Sequence, residues 1–549
     1  MLNKPIIYQM LPRLWGNMNE NCTPNGNILE NGTGKFSDID KNTLKYIKWM
    51  GCTHVWFTGV IRHSTSKLPD TNGELLEDSK AQIVKGKAGS PYAIKDYFDV
   101  NPYLADKPSR RMLEFKSLLT RTHKAGLKAI IDFVPNHVAR DYGKTANKKM
   151  ASYVLGNNDN NNVHWCAEND FFYYPGQALQ LPNDKDFYPI DRYTEYPAKA
   201  TGNVFTPEPS INDWYETIKI NYCDFHTETW DKMAEVIRFW AAKGVDGFRC
   251  DMVELVPPQF FAWLIPTIKA EFPDVIFIAE VYNKNQYHKY INEVGFDYLY
   301  DKSGLYDTIR SIVEGQGSTT GITQNWQFLG DLQPHMLNFL ENHDEQRFAS
   351  DFFGKDASHS YAALYASLFM NTAPFMLYFG EEMGERGMDH EGFSGQDGRT
   401  TIFDWWSVKS LRILKSLIDN QPLEQLRLEN PSERANDIFF RYISALQLAS
   451  TSKAIKEGTT YDLCWCNQES AGFNKDKHFV FLRHADNETL LIFCNFSDET
   501  ANVDIKIPSH AISALNLDPA DLQGCTPYAD GNCYIHLNVA PYDGLVLTL

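Results

Sequence analysis

The feature that most constrains this chain is a rhythm. From residue 6 to about residue 410, short runs of β-forming residues alternate with stretches of helical periodicity, the pattern of a parallel sheet whose strands are joined by crossover helices. The β-type runs are Ile6 to Pro12, His54 to Val60, Lys128 to Pro135, Gly247 to Val253, Val275 to Val281, Phe296 to Tyr300, Leu337 to Leu340 and Phe375 to Phe379. Eight such strands predict a closed (β/α)8 barrel. Two of the intervening helices are legible in detail: Met112, Phe115, Leu119 and Thr122 share one face ahead of Gly126, and Met233, Val236, Ile237 and Trp240 do so ahead of Gly244. Each has apolar spacing near 3.6 and a glycine where a helix cap belongs.

Two stretches break the rhythm. Residues 138–223 are rich in Asn, Tyr and Pro, with Asn157 to Asn162 an unbroken run of Asn and Asp; so long a connection without helical periodicity predicts a small inserted domain at the barrel mouth. A shorter insertion, Ser64 to Ser90, follows the second strand. Beyond about residue 430 strand follows strand, at Phe439 to Tyr442, His478 to Arg483, Thr489 to Asn495, Val503 to Ile507, Cys533 to Leu537 and Leu545 to Leu549, which predicts an all-β sandwich. The expected division is a barrel of residues 1–137 and 224–428, an insertion of 138–223 and a C-terminal domain of 429–549.

Composition narrows the function classes. A formal charge of -18 argues against nucleic-acid partners, which need a concentrated basic face. No apolar run approaches the roughly 20 residues that span a bilayer, so no membrane association is expected. The first residues carry no leader-like apolar stretch, and the ten cysteines lie without CxxC pairs, Cys464 and Cys466 forming only a CxC. Buried free thiols and a cytoplasmic location are the expectation. Aromatic residues, 13% of the chain, suit the apolar faces of neutral sugars.

In a parallel barrel the functional residues stand at the C-terminal strand ends. Polar residues interrupt four of them: Asp132, Asn136 and His137 after the third strand; Arg249, Asp251 and Glu254 along the fourth; Glu280 at the end of the fifth; Glu341, Asn342, His343 and Asp344 after the seventh. Strand alternation puts Arg249 and Asp251 on one face and Phe248, Cys250 and Met252 on the other. An arginine beside a buried aspartate keeps it ionised, as a nucleophile requires. The apolar run before Glu280 favours a protonated carboxyl, as a general acid requires. Two carboxyls with divided environments are the equipment of glycoside hydrolysis through a covalent intermediate.

In order and spacing, these four segments resemble the signature regions of the α-amylase family of glycoside hydrolases, family 13. The resemblance extends to Ile7–Arg13 as the family's first strand, Ser90–Tyr97 as its "GY…DY" segment, Thr372–Glu381 as its eighth strand and Arg399–Trp405 just after it. It implies Asp251 as nucleophile, Glu280 as acid/base and Asp344 as the acid that grips sugar hydroxyls. It further implies that His137, Arg249 and His343 line the same subsite, that Tyr92 stacks under the reacting ring and that Asp132 supports the arginine. The expected activity is retaining hydrolysis of α-1,4-linked glucans or maltooligosaccharides. A glucanotransferase, a disaccharide isomerase or an α-glucosidase of the same family is the alternative, and a non-catalytic carbohydrate-binding barrel the remote one.

The chain also departs from the family pattern. Many endo-acting α-amylases carry Lys-His where Glu254-Leu255 stands here, which leaves Glu254 as a candidate contact to sugar. In many members the residue at Asn136 binds a structural calcium together with acids of the insertion, for which Glu168 and Asp170 are the candidates, and with the backbone at position 255. No organic cofactor is implied.

Overall fold

The computed structural model describes residues 4–66, 79–387, 395–427, 433–520 and 522–549. Eight parallel strands close into a barrel in sequence order: β1 (Ile6–Met10), β2 (His54–Phe57), β3 (Lys128–Phe133), β4 (Gly247–Cys250), β5 (Ile276–Ala279), β6 (Tyr298–Tyr300), β7 (Met336–Phe339) and β8 (Phe375–Tyr378). β8 returns to pair with β1. Enclosure by helices explains why these strands read as continuous apolar runs. On β4, Phe248 and Cys250 join the main apolar cluster, and Gly247 lets the layers meet, since a Cβ there would lie 2.6 Å from Ile276 Cγ1.

Both legible helices form where their periodicity places them. Arg111–Lys124 buries Phe115, Leu118, Leu119 and Thr122; Glu228–Ala241 buries Met233, Val236, Ile237 and Trp240. The left-handed Gly126 and Gly244 end their turns and lead into β3 and β4.

The segment 138–223 consists of turns, short 3-10 helices and short ladders, anchored at its base. His137–Ala139 pairs antiparallel with Thr217–Lys219, so the excursion leaves and rejoins the barrel at one point, and Tyr173–Tyr174 pairs with Ala198–Lys199 further out. Part of the expected Ser64 to Ser90 insertion, residues 67–78, lies outside the described residues.

At the C-terminus, a four-stranded antiparallel sheet of Thr459–Asp462, His478–Ala485, Glu488–Asn495 and Gly544–Thr548 faces a three-stranded one of Ala501–Ile507, Thr526–Pro527 and Cys533–Val539. Val480, Leu482, Leu491 and Phe493 from the first share a core with Val503, Ile505, Ile535 and Leu537 from the second.

One expected strand is corrected: Phe439 to Tyr442 lies inside the helix Glu433–Thr451. Phe439, Tyr442, Ile443, Leu446 and Ala449 are buried at helical spacing, a long-range period that outweighs a four-residue β-like run. The helix packs on Tyr361–Phe369, the helix before β8. The expected boundary at residue 428 falls outside the described residues.

Candidate active site

At the C-terminal end of the barrel one guanidinium organises four carboxyls. Arg249 is fully buried, with its charge over the rings of Trp56, Tyr92 and Tyr300 at 5.4–5.6 Å. Its Nη1 donates to Asp251 Oδ1 at 2.6 Å, and its Nη2 lies 3.0 Å from Glu280 Oε2 and 3.9 Å from Asp344 Oδ2. Asp132, the register partner of Arg249 on β3, stands 3.9 Å from Nη1. Asp132 Oδ2 accepts from Trp56 Nε1 at 3.2 Å and the Gly59 amide at 3.3 Å.

Four acids around one base cannot all ionise cheaply in a desolvated site. Burial pushes Asp132 up to about 6, with Arg249 opposing. Burial likewise raises Asp251 well above the carboxylate range, against the pull of Arg249 and with Glu280 adding to the rise. Asp344 keeps 41% of its side-chain surface open to the cleft, yet it is recessed enough that desolvation, then repulsion from Glu280, pushes it up to about 7. The expected division of environments is therefore corrected. Arg249 does not by itself hold Asp251 at the ordinary carboxylate value. Nor is Glu280 set among apolar groups: it is ion-paired with Arg249 Nη2 at 3.0 Å and accepts from the Met252 amide at 2.9 Å and the Tyr282 hydroxyl at 2.5 Å.

Both histidines of the site are neutral, since burial drives His137 down to about 3 and His343 well below its usual value. Gln9 Nε2 lies 2.8 Å from His343 Nδ1. An amide NH2 only donates, so the ring proton sits on Nε2, which meets Asp344 Oδ2 at 3.1 Å and the Tyr92 hydroxyl. Tyr92 stacks on His343 at 5.3 Å, and its hydroxyl donates to Asp132 Oδ1 at 3.3 Å. Asn136 Nδ2 stands 3.1 Å from His137 Nδ1, the same arrangement.

The turn after Asp251 is strained. Met252 adopts a left-handed conformation, φ 45° and ψ 46°, which costs a residue with a side chain about 1–3 kcal/mol. Glu254 helps to hold it: its carboxylate accepts from the Tyr282 amide at 2.7 Å and the Asn283 amide at 3.3 Å, so it ties the loop after β4 to the loop after β5.

These groups open on a cavity of about 260 Å³ lined by Tyr92, His137, Trp214, Asp251, Glu280, Tyr282 and Asp344 among others. Sequence reasoning missed Gln9, Trp56 and Tyr300, which the strand-end argument could have found on β1, β2 and β6. Trp214, which meets the His137 ring at 5.2 Å, and the Lys85–Glu216 ion pair at 3.1 Å come from irregular segments that carry no periodic signal.

The donor set at Asn136 does not fit calcium. Asn136 Oδ1 accepts from the Lys219 ammonium, which also donates to the Leu255 carbonyl at 2.8 Å. Asp170 is engaged elsewhere, by Lys232 at 2.8 Å and Thr229 at 2.8 Å, and Glu168 is exposed. A calcium ion needs six to eight oxygens, carboxylates among them; here a cation of the chain itself holds the two oxygens.

The model of the α-amylase catalytic domain matches residues 25–499. Alpha-amylase 3 of Dictyoglomus thermophilum is 23% identical over 390 residues, 67% of this chain and 68% of the relative. Oligo-1,6-glucosidase of Halalkalibacterium halodurans is 21% identical over 625 aligned positions, covering 98% and 97%. Some relatives are matched over only part of their length, 38% of one and 11% of another. In fold, the chain superposes on the maltogenic α-amylase AmyB of Thermotoga neapolitana with a TM-score of 0.61 at 18% identity, over 99% of this chain and 98% of that one. The barrel and its acid cluster define a glycosidase of (β/α)8 architecture. The chain belongs to the α-amylase family of glycoside hydrolases, which acts on α-glucosidic bonds. Among the described residues no helix is long and apolar enough to cross a membrane.

Proposed function

We propose that the protein is a retaining hydrolase of α-1,4-linked glucans or maltooligosaccharides. The observation that carries this reading is the sharing of Arg249 by Asp251 and Glu280, at 2.6 and 3.0 Å. Two carboxyls drawn onto the adjacent nitrogens of one planar guanidinium stand close together. That favours the roughly 5–5.5 Å separation of retaining enzymes over the 6.5–9.5 Å of inverting ones.

In the first step Asp251 Oδ forms a bond to the anomeric carbon while the glycosidic C–O bond breaks, and the departing oxygen takes a proton from Glu280. The mechanism requires Asp251 as the carboxylate, with Arg249 Nη1 2.6 Å from its Oδ1 to hold the charge, and Glu280 as the proton donor. In the second step Glu280 takes a proton from water, whose oxygen displaces Asp251 with a second inversion. Asp344 and His343 face the ring hydroxyls, and the anionic cluster stabilises positive charge developing on the ring.

Proton NMR of the first product of maltotriose cleavage tests the stereochemistry: the α-anomer is expected, and initial release of the β-anomer overturns the reading. A screen of starch, pullulan, maltotriose, isomaltose, trehalose and sucrose tests the substrate class, with longer or rearranged products identifying transfer instead of hydrolysis.

A further inference from the structure

Lys219 is the last residue of the short strand on which the excursion returns to the barrel, and its side chain leaves that ladder to reach two loops of the cleft. One contact is the Leu255 carbonyl, in the turn that follows Asp251. The other is Asn136 Oδ1, one residue before His137. An ammonium has donors and no acceptor, so the Asn136 side-chain oxygen must face it and the Asn136 NH2 must turn the other way. That NH2 meets the Gly202 carbonyl at 2.9 Å and His137 Nδ1 at 3.1 Å. A ring nitrogen that receives an N–H is itself unprotonated, so His137 carries its proton on Nε2; the ring is hydrogen-bonded in turn to the backbone of Tyr92.

We infer that Lys219 is a positioning residue: a cation built into the chain that orients the Asn136 amide, and through it sets the tautomer of His137 and the seat of Tyr92. The relay runs from the excursion to the aromatic wall of the cleft, because Tyr92 is the residue stacked on His343. The same ammonium pins the turn that carries the left-handed Met252, next to Asp251. It performs the cross-linking that a bound metal would otherwise supply, and it makes the protein indifferent to calcium.

The tautomer is read by ¹⁵N NMR of histidine-labelled full-length protein, with the His137 signals assigned by their loss in His137→Gln. The Nε2–H pattern is expected in the wild type and in Lys219→Arg. Lys219→Met is expected to show the Nδ1–H form or a mixture, with kcat/KM lower by about 10-fold to 100-fold through misplacement of the ring. An Nδ1–H pattern in the wild type, or an unaltered one in Lys219→Met, overturns the relay. Should Lys219→Met fail to fold, the wild-type spectrum still decides, joined by melting curves in EDTA and in calcium chloride. Equal Tm values are expected, and a calcium-dependent rise overturns the built-in cation. Neither readout requires turnover, so both stand apart from the proposed substrate and stereochemistry.

Discussion

The barrel side and the excursion side of the cleft are each organised by one cation, Arg249 fully buried and Lys219 partly so, and the two cations face opposite surroundings. Arg249 stands among four carboxyls; Lys219 holds two neutral oxygens. Removing a partner from a buried charge cluster leaves uncompensated charge, at a cost of about 3–5 kcal/mol. Removing a donor from neutral carbonyls leaves unsatisfied acceptors, at about 1–3 kcal/mol each. The difference teaches that the barrel side is arranged for chemistry, at the expense of stability, whereas the excursion side shapes and aligns. Substitutions on the first are expected to act on kcat and on folding together, and substitutions on the second to act mainly on KM.

The largest effect is expected from Asp251→Asn, which removes the proposed nucleophile and should lower kcat on maltotriose by at least about 10⁴-fold with an unchanged circular dichroism spectrum. Near-wild-type turnover in that variant breaks the assignment of chemistry to the barrel side. Arg249→Met follows: a loss of about 3–5 kcal/mol in urea unfolding, together with a loss of activity, since the carboxyls lose the charge that gathers them. If stability is unchanged, the four acids do not depend on Arg249. On the other side, Trp214→Ala is expected to raise KM about 5-fold to 10-fold while kcat stays within about 2-fold, because the ring lines the cavity beside His137. A fall in kcat without a change in KM would erase the contrast between the two sides.

The smallest effect has the opposite sign. Asp344 titrates higher in the folded chain, at about 7, than the 3.9 or so of an unfolded aspartate. The folded state therefore binds more protons between those values, and this group's contribution to stability is present below about pH 4 and is lost as pH rises through about 7. Asp344→Asn should raise Tm by about 1–2 °C at pH 8 and less at pH 5 while abolishing activity. Equal shifts at both pH values would mean that the crowding of acids carries no folding cost at this position.

The barrel was legible because its signals are periodic: the strands are short apolar runs, and the four ended by polar residues named Asp132, His137, Arg249, Asp251, Glu280, His343 and Asp344. What the sequence did not disclose is direction. The apolar residues before Glu280 suggested apolar surroundings, yet its neighbours arrive from the sides, as the Met252 amide and the Tyr282 hydroxyl. Glu254 stands out in the sequence as a departure from the family pattern, and its two backbone partners, which belong to a different loop, show only in the fold. Lys219 lay in a segment with no period, and its meaning appears only when the excursion folds back beside Asn136. The helix Glu433–Thr451 was misread because Phe439 to Tyr442 satisfies a β pattern when taken alone and a helical one when followed to Ala449.

Cys250, buried on β4 between Arg249 and Asp251 in sequence, gives the barrel an internal clock. Cys22, Cys166, Cys464, Cys466 and Cys525 are part-exposed, so a thiol reagent will mark those first. Burial raises the Cys250 thiol far above its usual value and leaves it unreactive until the strands separate. The rate at which it is alkylated therefore times the opening of the barrel itself. Because the peptide that contains it also contains Asp251, one proteolytic digest can report both whether the barrel has opened and whether a mechanism-based sugar has become attached.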